Sequence, residues 1–347
     1  MIESPSDIAK AALLANNALD KTGPMCGLAV VIPVYKEFRF GRIAILLEEL
    51  DCQTVGRSRF ETILVINNPG FRGNEADQKG FKDNLDLMEH IKKQKVQGRL
   101  DNVQVINCTG GELPARHIGL ARGLGNEVAQ LRLSQTETGT NGLIVQMDAD
   151  ASLDPDFLWR LNNIYEANPS AESAGIPRSP LPVDYTSDDL YAQLALQFLR
   201  TVIYLMNGRS PKAFNGSTLS FKAYLHQWPE MRSYMGYSLN EDYKLGENLY
   251  QGSRFIYTPE PRVFVADRRR LEGFDANLRC GMVSIQPPEP VGIQENMELY
   301  LAREEELARS RLDWSRVNQS LVRSGMLLFC QGRTAIGPSQ VLKTYSD

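Results

Sequence analysis

The chain has 347 residues, is 42% hydrophobic, and carries 38 basic against 42 acidic side chains for a net charge of -4. That length holds one large α/β domain with extensions or two modest domains, and the composition excludes a disordered chain. No long basic block gives reason to expect nucleic acid as a partner. The five cysteines, at 26, 52, 108, 280 and 330, show no paired zinc spacing and read as reduced thiols of a cytoplasmic protein.

From the N-terminus, residues 1–25 form an extension with a capped helix expected from about Asp7 to Leu19, stopped by Gly23-Pro24. No basic region followed by an uninterrupted apolar core is present, so a signal peptide is not expected. Leu28 to Val34 is a continuous β-branched run and the first predicted core strand. It leads through Tyr35-Lys36-Glu37 into a helix marked by Ile43, Leu46, Leu47 and Leu50. Glu61 to Ile66 is the second strand, ending at the turn signal Asn67-Asn68-Pro69-Gly70. A solvated helix is expected between Phe71 and Arg99, and Val103 to Ile106 is a third strand. Gly110-Gly111 then opens a helix whose first turns carry Arg116 and His117.

Leu143 to Met147 is a fourth strand, predicted to be buried on both faces. Asp148 and Asp150 follow, and on an extended backbone residues two apart project to one side. Carboxylates so placed repel unless a cation lies between them, and a hard divalent ion with oxygen ligands fills that role. An acidic strand-to-helix loop, with Asp154 capping and Pro155 at the first helical position, explains the same residues without a ligand.

The alternation of strand and helix implies a parallel sheet with right-handed crossovers, Rossmann-like and flanked by helices. Ligands bind such sheets beyond the carboxyl ends of the strands, where Glu37, Asn67, Gly110 and Asp148 all fall. The wound segment spans residues 26–177, residues 178–284 follow it, and 285–347 read as a C-terminal helical extension. The second half brings a Pro-rich joint and a helix from Leu190 to Met206, too short and too polar to span a membrane. An aromatic group at Trp228, Tyr234 and Tyr237 follows. Glu241 and Asp242 sit in the first turn of a helix with Leu245 and Leu249. A basic cluster, Arg268 to Arg270, comes later. Cation-binding carboxylates, a glycine turn at a helix N-terminus, and basic groups at Arg116, Arg268 and Arg270 suit a diphosphate. One of Glu241 and Asp242 is a candidate general base for an incoming hydroxyl.

The ordered segments PVYKE, ILVINN, GGELPARHIGLA, MDADASLDPDFL, NGSTLSF and NEDYKLGENLYQGSRF, with the late basic cluster, resemble the family 2 glycosyltransferases of GT-A fold. The resemblance runs from about Cys26 to Phe274 and makes residues 26–177 the nucleotide-sugar-binding half and 178–284 the acceptor-binding half of one GT-A domain. It implies metal-dependent, inverting transfer of a sugar from a nucleoside-diphosphate donor to an acceptor hydroxyl of a glycan, glycolipid or small molecule. By that likeness Asp150 binds Mg²⁺ or Mn²⁺, Asp148 lies nearer the ribose and the metal, and Asp242 is the catalytic base with Glu241 either orienting it or contacting the acceptor, while Trp228, Tyr234 and Tyr237 are either core or a platform for the acceptor sugar. Pro33, Tyr35 and Glu37 match the loop that contacts the nucleotide base. Arg116 approaches the nucleotide, and Arg268 to Arg270 clamp the diphosphate. Asn67-Asn68 stand where the family usually has an Asp, which leaves the base unspecified. The QxxRW form of processive members is missing, so a single addition in glycan, glycolipid or cell-surface polysaccharide synthesis is expected. The alternatives are a nucleotidyltransferase, which would want a Gly- and Lys-rich loop after the first strand, and a catalytically silent nucleotide- or sugar-binding scaffold. Peripheral membrane association stays open, and a homodimer through the helices after Ile293 is expected from their apolar stripe of Met297, Tyr300 and Leu301.

Overall fold

The computed structural model describes residues 5–67, 75–109, 117–176, 178–180, 219–236, 241–258, 261 and 263–265. The chain divides into two compact units, Met1–Ser179 with Phe214–Val265 and Pro180–Ala213 with Ala266–Asp347. Every described residue except Pro180 belongs to the first. In chain order its elements are α1 (Pro5–Asn17), β1 (Leu28–Val34), α2 (Arg42–Asp51), β2 (Phe60–Asn67), α3 (Glu75–Val96), β3 (Val103–Cys108), α4 (Ile118–Leu133), β4 (Leu143–Gln146) and β5 (Ala151–Leu153). There follow α5 (Phe157–Ala167), β6 (Ser173–Gly175), β7 (Arg178–Pro180), β8 (Leu219–Lys222), α6 (Pro229–Arg232), α7 (Glu241–Gly252), β9 (Phe255–Tyr257) and β10 (Val263–Val265).

The first three parallel strands and β4 make the frame, in the order β3-β2-β1-β4. Every residue of β1, β2 and β4 is buried, which is why those segments read as unbroken apolar runs. Side chains alternate between faces. Leu28, Val30, Ile32 and Val34 point into one core with Leu46, Leu50, Leu87 and Leu161, and Ala29 and Val31 into the other with Ile8, Leu124, Val128 and Leu245. The sheet continues through β8, antiparallel to β4, then β6, antiparallel to β8, and β9, parallel to β6. A second sheet has the order β5-β10-β7. The α/β class expected from the sequence, a mostly parallel sheet flanked by helices, is therefore what the chain builds. Among the described residues no helix is long and apolar enough to cross a membrane.

Register brings the strand ends together. Val34 pairs with Ile66, Asn67 with Cys108, and Val31 with Gln146. Pro33 lies inside β1, opposite Val65, and has no N–H to give to a ladder. The carbonyl of Val31 accepts from Met147 N at 3.1 Å, so the side that Pro33 faces is the one where β4 has just ended, and the proline is tolerated.

The segment after β4 departs from the sequence reading. The strand stops at Gln146, and Ala151 N donates to the Asp148 carbonyl at 3.2 Å, closing a turn through Ala149 and Asp150. Asp148 and Asp150 are thus turn residues rather than neighbours on an extended strand. Nor does Asp154-Pro155 start the helix: α5 begins at Phe157 with Asp156 at its N-cap, and the Asp156 carboxylate pairs with Arg160 instead of capping. The reason lies in α2. The Glu49 carboxylate accepts from Ser152 Oγ (2.5 Å) and Leu153 N (2.8 Å), while the Gln53 amide donates to the Asp154 carbonyl and accepts from Leu158 N, both at 2.9 Å. A side chain distant in sequence does the capping that local propensity assigned to Asp154.

Candidate active site

Side-chain alternation carries past the end of β4, so Asp148 falls on the α4 side of the sheet, in phase with Ile144. Arg122 waits there, in the second turn of α4 and only 2% exposed. Its Nη2 donates to Asp148 Oδ1, and its Nε donates to Glu241 Oε1 at 3.0 Å. One guanidinium thereby joins the strand-end motif to the first turn of α7, segments that are remote in sequence. Burial works against the charge of Arg122, but Asp148, Glu241 and Asp242 outweigh it and hold the group protonated well above its usual range. Burial raises the Glu241 carboxyl above the ordinary carboxylate value, with Arg122 acting in the opposite sense and neighbouring Asp242 adding to the rise. Asp148, Asp150 and Asp242 are half-buried, so each keeps part of its surface open to a ligand.

Close approach of α4 makes the bridge geometrically possible. A Cβ at Gly125 would lie 2.5 Å from Val31 Cγ1 and 3.0 Å from Val65 Cγ2, so only glycine lets the helix sit this near β1 and β2. The helix starts at His117, whose side chain accepts from Leu120 N at 3.4 Å. That makes His117 a capping residue.

The loop after β1 and the last residue of β2 are gathered from a different direction. Asn84 of α3, 1% exposed, accepts from Lys36 N at 3.4 Å and donates to the Asn67 carbonyl at 3.1 Å. Next to it, the Asp83 carboxylate accepts from Phe38 N (3.0 Å) and Arg39 N (2.6 Å). Lys36 takes a left-handed φ of 59° and places its ammonium 4.5 Å from the centre of the Tyr35 ring. Glu37 is buried, Tyr35 half-buried, and Asn67 buried at the end of β2.

The structure thus gathers Asp148, Glu241 and, through the field at Arg122, Asp242 into one cluster, with Tyr35 and Glu37 on the loop after β1 and Asn67 at the end of β2, on the same strand-end edge. Arg116, Arg268 and Arg270, the glycine turn at Gly110, Tyr237 and the helices after Ile293 lie outside the described residues. Tyr234 is not an acceptor platform: it is fully buried and its hydroxyl accepts from Asn126 Nδ2 at 2.6 Å. Trp228 keeps partial exposure. Sequence reasoning missed Arg122, Asn84 and Asp83. A signal existed for two of them: Asn84 shares a helical face with Leu87 and Ile91, and Arg122 sits in a glycine-rich, otherwise apolar stretch.

Among the described residues no group of three or more His, Cys, Asp or Glu gathers as an all-protein metal cage. The donor set of Asp148 and Asp150 is purely carboxylate oxygen, which fits a hard divalent cation whose other positions come from phosphate and water. One Asp148 oxygen is engaged by Arg122.

No protein-family model matches the sequence, and no curated protein matches it. Among solved structures the chain is similar to S. aureus TarS. The crystal structure of TarS 1-349 is 13% identical with a TM-score of 0.43, covering 92% of this chain and 90% of that one. The same fragment in complex with UDP-GlcNAc is 14% identical with a TM-score of 0.42, covering 87% and 72%. The complex with UDP gives 13% and 0.43 over 92% and 90%.

Proposed function

We propose that the chain is a glycosyltransferase of GT-A type that moves a sugar from a nucleoside-diphosphate donor to an acceptor hydroxyl in a single, inverting displacement. The observation that supports this reading most is the Arg122 bridge, which places the Asp148 motif and the Glu241-Asp242 motif in one cluster at the carboxyl edge of the sheet. A donor acid and an acceptor acid have to meet in this way if both are to act on one bond.

In this account Asp242 accepts the proton of the acceptor hydroxyl, whose oxygen attacks the anomeric carbon from the face opposite the leaving group. The bond from that carbon to the phosphate oxygen breaks, and its electron pair leaves with the nucleoside diphosphate. Asp148 and Asp150 would hold Mg²⁺ or Mn²⁺, which when bound supplies positive charge against the departing diphosphate. Arg122 keeps Asp148 and Glu241 in fixed relation, and Glu241 supports Asp242 from the preceding position. Tyr35, Glu37 and Asn67 line the side where the nucleotide base is read, with Asn84 tying the loop after β1 to the end of β2. A single addition, rather than a processive one, follows the sequence's lack of QxxRW.

The test is a panel of UDP-, GDP- and dTDP-sugars with Mn²⁺, followed by donor hydrolysis and calorimetry, on the intact chain and on Asp242→Asn. Donor binding should persist in the variant, while turnover falls by about 10²-fold or more, since the proton acceptor is lost. Turnover that survives Asp242→Asn contradicts the assignment of the base. Binding without turnover of any donor by the intact chain favours the silent scaffold.

A further inference from the structure

We propose that Arg122 is a positioning residue that competes with the divalent cation for Asp148, and that Glu241 sets the strength of the competition by drawing on the other side of the same guanidinium. This rests on the reading of Asp148 as a cation ligand and goes beyond it, because it assigns the cation's affinity to two residues that do not ligate it.

Reach and confinement together keep the guanidinium on Asp148. Asp148 has two oxygens, and Arg122 Nη2 occupies Oδ1. An arginine at this site does not give up its proton to relieve the contact. Nor is it free to swing into water, since it is 2% exposed and its helix is held against the sheet at Gly125 and against Met235 at Gly123, where an added Cβ would come within 2.7 Å of Met235 Cγ. The positive charge that Asp148 meets is therefore permanent, and a cation has to share the carboxylate with it.

Glu241 enters through Nε, at 3.0 Å. Its carboxylate, also buried, takes part of the guanidinium's charge and so weakens the hold on Asp148. If Glu241 loses its charge while keeping its shape, the guanidinium acts on Asp148 more strongly and the cation is disfavoured. If Arg122 loses its charge, the path between Glu241 and Asp148 disappears. A carboxylate in the acceptor-side motif thus tunes cation affinity in the donor-side motif.

The test is a double-mutant cycle on the full-length chain, read as free Mn²⁺ by electron paramagnetic resonance, with Mn²⁺ alone and with Mn²⁺ plus UDP, GDP or dTDP. Glu241→Gln should weaken Mn²⁺ binding about tenfold in the Arg122 protein and less than about twofold in the Arg122→Met background, a coupling of ordinary size for directly bonded groups. Arg122→Met by itself should bind Mn²⁺ several-fold more tightly than the intact chain. A role in folding alone predicts no such gain. Should Arg122→Met not fold, Arg122→Lys replaces it: a lysine lacks the fork needed to hold both carboxylates, and the effect of Glu241→Gln should drop below about threefold. Equal weakening in both backgrounds, or no tightening on loss of the guanidinium, overturns the proposal while leaving the donor reading intact. No Mn²⁺ binding by the intact chain under any of these conditions overturns the donor reading and this proposal with it.

Discussion

His226 is fully enclosed, and among the described residues neither ring nitrogen has a hydrogen-bond partner. Its Nε2 lies 3.5 Å from Glu127 Oε1, an oxygen that also sits 2.8 Å from Arg232 Nη2. Burial, helped by the Arg232 charge, pulls the imidazole down from 6.5 to about 3. An unfolded chain takes up a proton at this histidine below 6.5, whereas the folded chain refuses it until about 3. The neutral ring therefore contributes stability that is complete above the unfolded value and is lost as pH falls through this window. The prediction is a difference curve: in urea unfolding between pH 6 and pH 4, the intact chain should lose stability faster than His226→Gln by up to about 1.4 kcal/mol per pH unit. Parallel curves would mean that the ring is already charged or reaches water. Single residues of this kind were the hardest to read from the sequence. Asp148 and Glu241 stood out as acids at element ends, but Arg122 and Asn84 act by reaching across the fold, and nothing local marks which partner they meet.

Regular elements with one-sided or continuous apolar patterns were legible. Leu28–Val34 is the strand that its β-branched run predicts, and the buried stripe of α2 is the Ile43, Leu46, Leu47 and Leu50 read from spacing. The region from Met147 to Asp156 was not, because Glu49 and Gln53 of α2 satisfy its backbone groups and so fix where β5 and α5 begin. Helix α4 shows a further limit of pattern. It is buried almost all round and carries Arg122, Asn126, Glu127 and Arg132 inside, so no polar stripe betrays its orientation. Its closeness to the sheet is testable at one glycine. Gly125→Ala forces a methyl against Val31 and Val65, which belong to packed strands, and should cost about 1–3 kcal/mol in urea unfolding despite the better helix propensity of alanine. Gly123→Ala meets the flexible Met235 side chain instead and should cost less than about 1 kcal/mol. Equal effects at the two positions would show that contact with the sheet is not what limits α4.

Across the described unit, α4 runs from one edge of the sheet to the other with a buried ion pair near each end. Arg122 binds Asp148 and Glu241 beside the carboxyl ends of the strands. Towards the opposite end, Arg132 Nε meets both Glu61 carboxylate oxygens (2.9 and 2.8 Å), while its Nη atoms reach Asn16 Oδ1 (3.3 Å) and the Asp20 carbonyl (2.8 Å), so the segment from the end of α1 is fastened to the same helix. Such pairs fix register and orientation more than they add net stability. Here the fixed helix is what carries Arg122 to the acids. The central claim is that Asp148 and Asp150 form a cation-dependent site for a nucleoside diphosphate at this edge. The most direct measurement titrates Mn²⁺ against the full chain and Asp150→Ala, with UDP, GDP and dTDP in turn, following free Mn²⁺ by electron paramagnetic resonance. For at least one nucleotide the intact chain should bind Mn²⁺ and nucleotide together, each tightening the other, and Asp150→Ala should lose about tenfold or more of that affinity. Mn²⁺-dependent nucleotide binding left unchanged by Asp150→Ala would contradict the account.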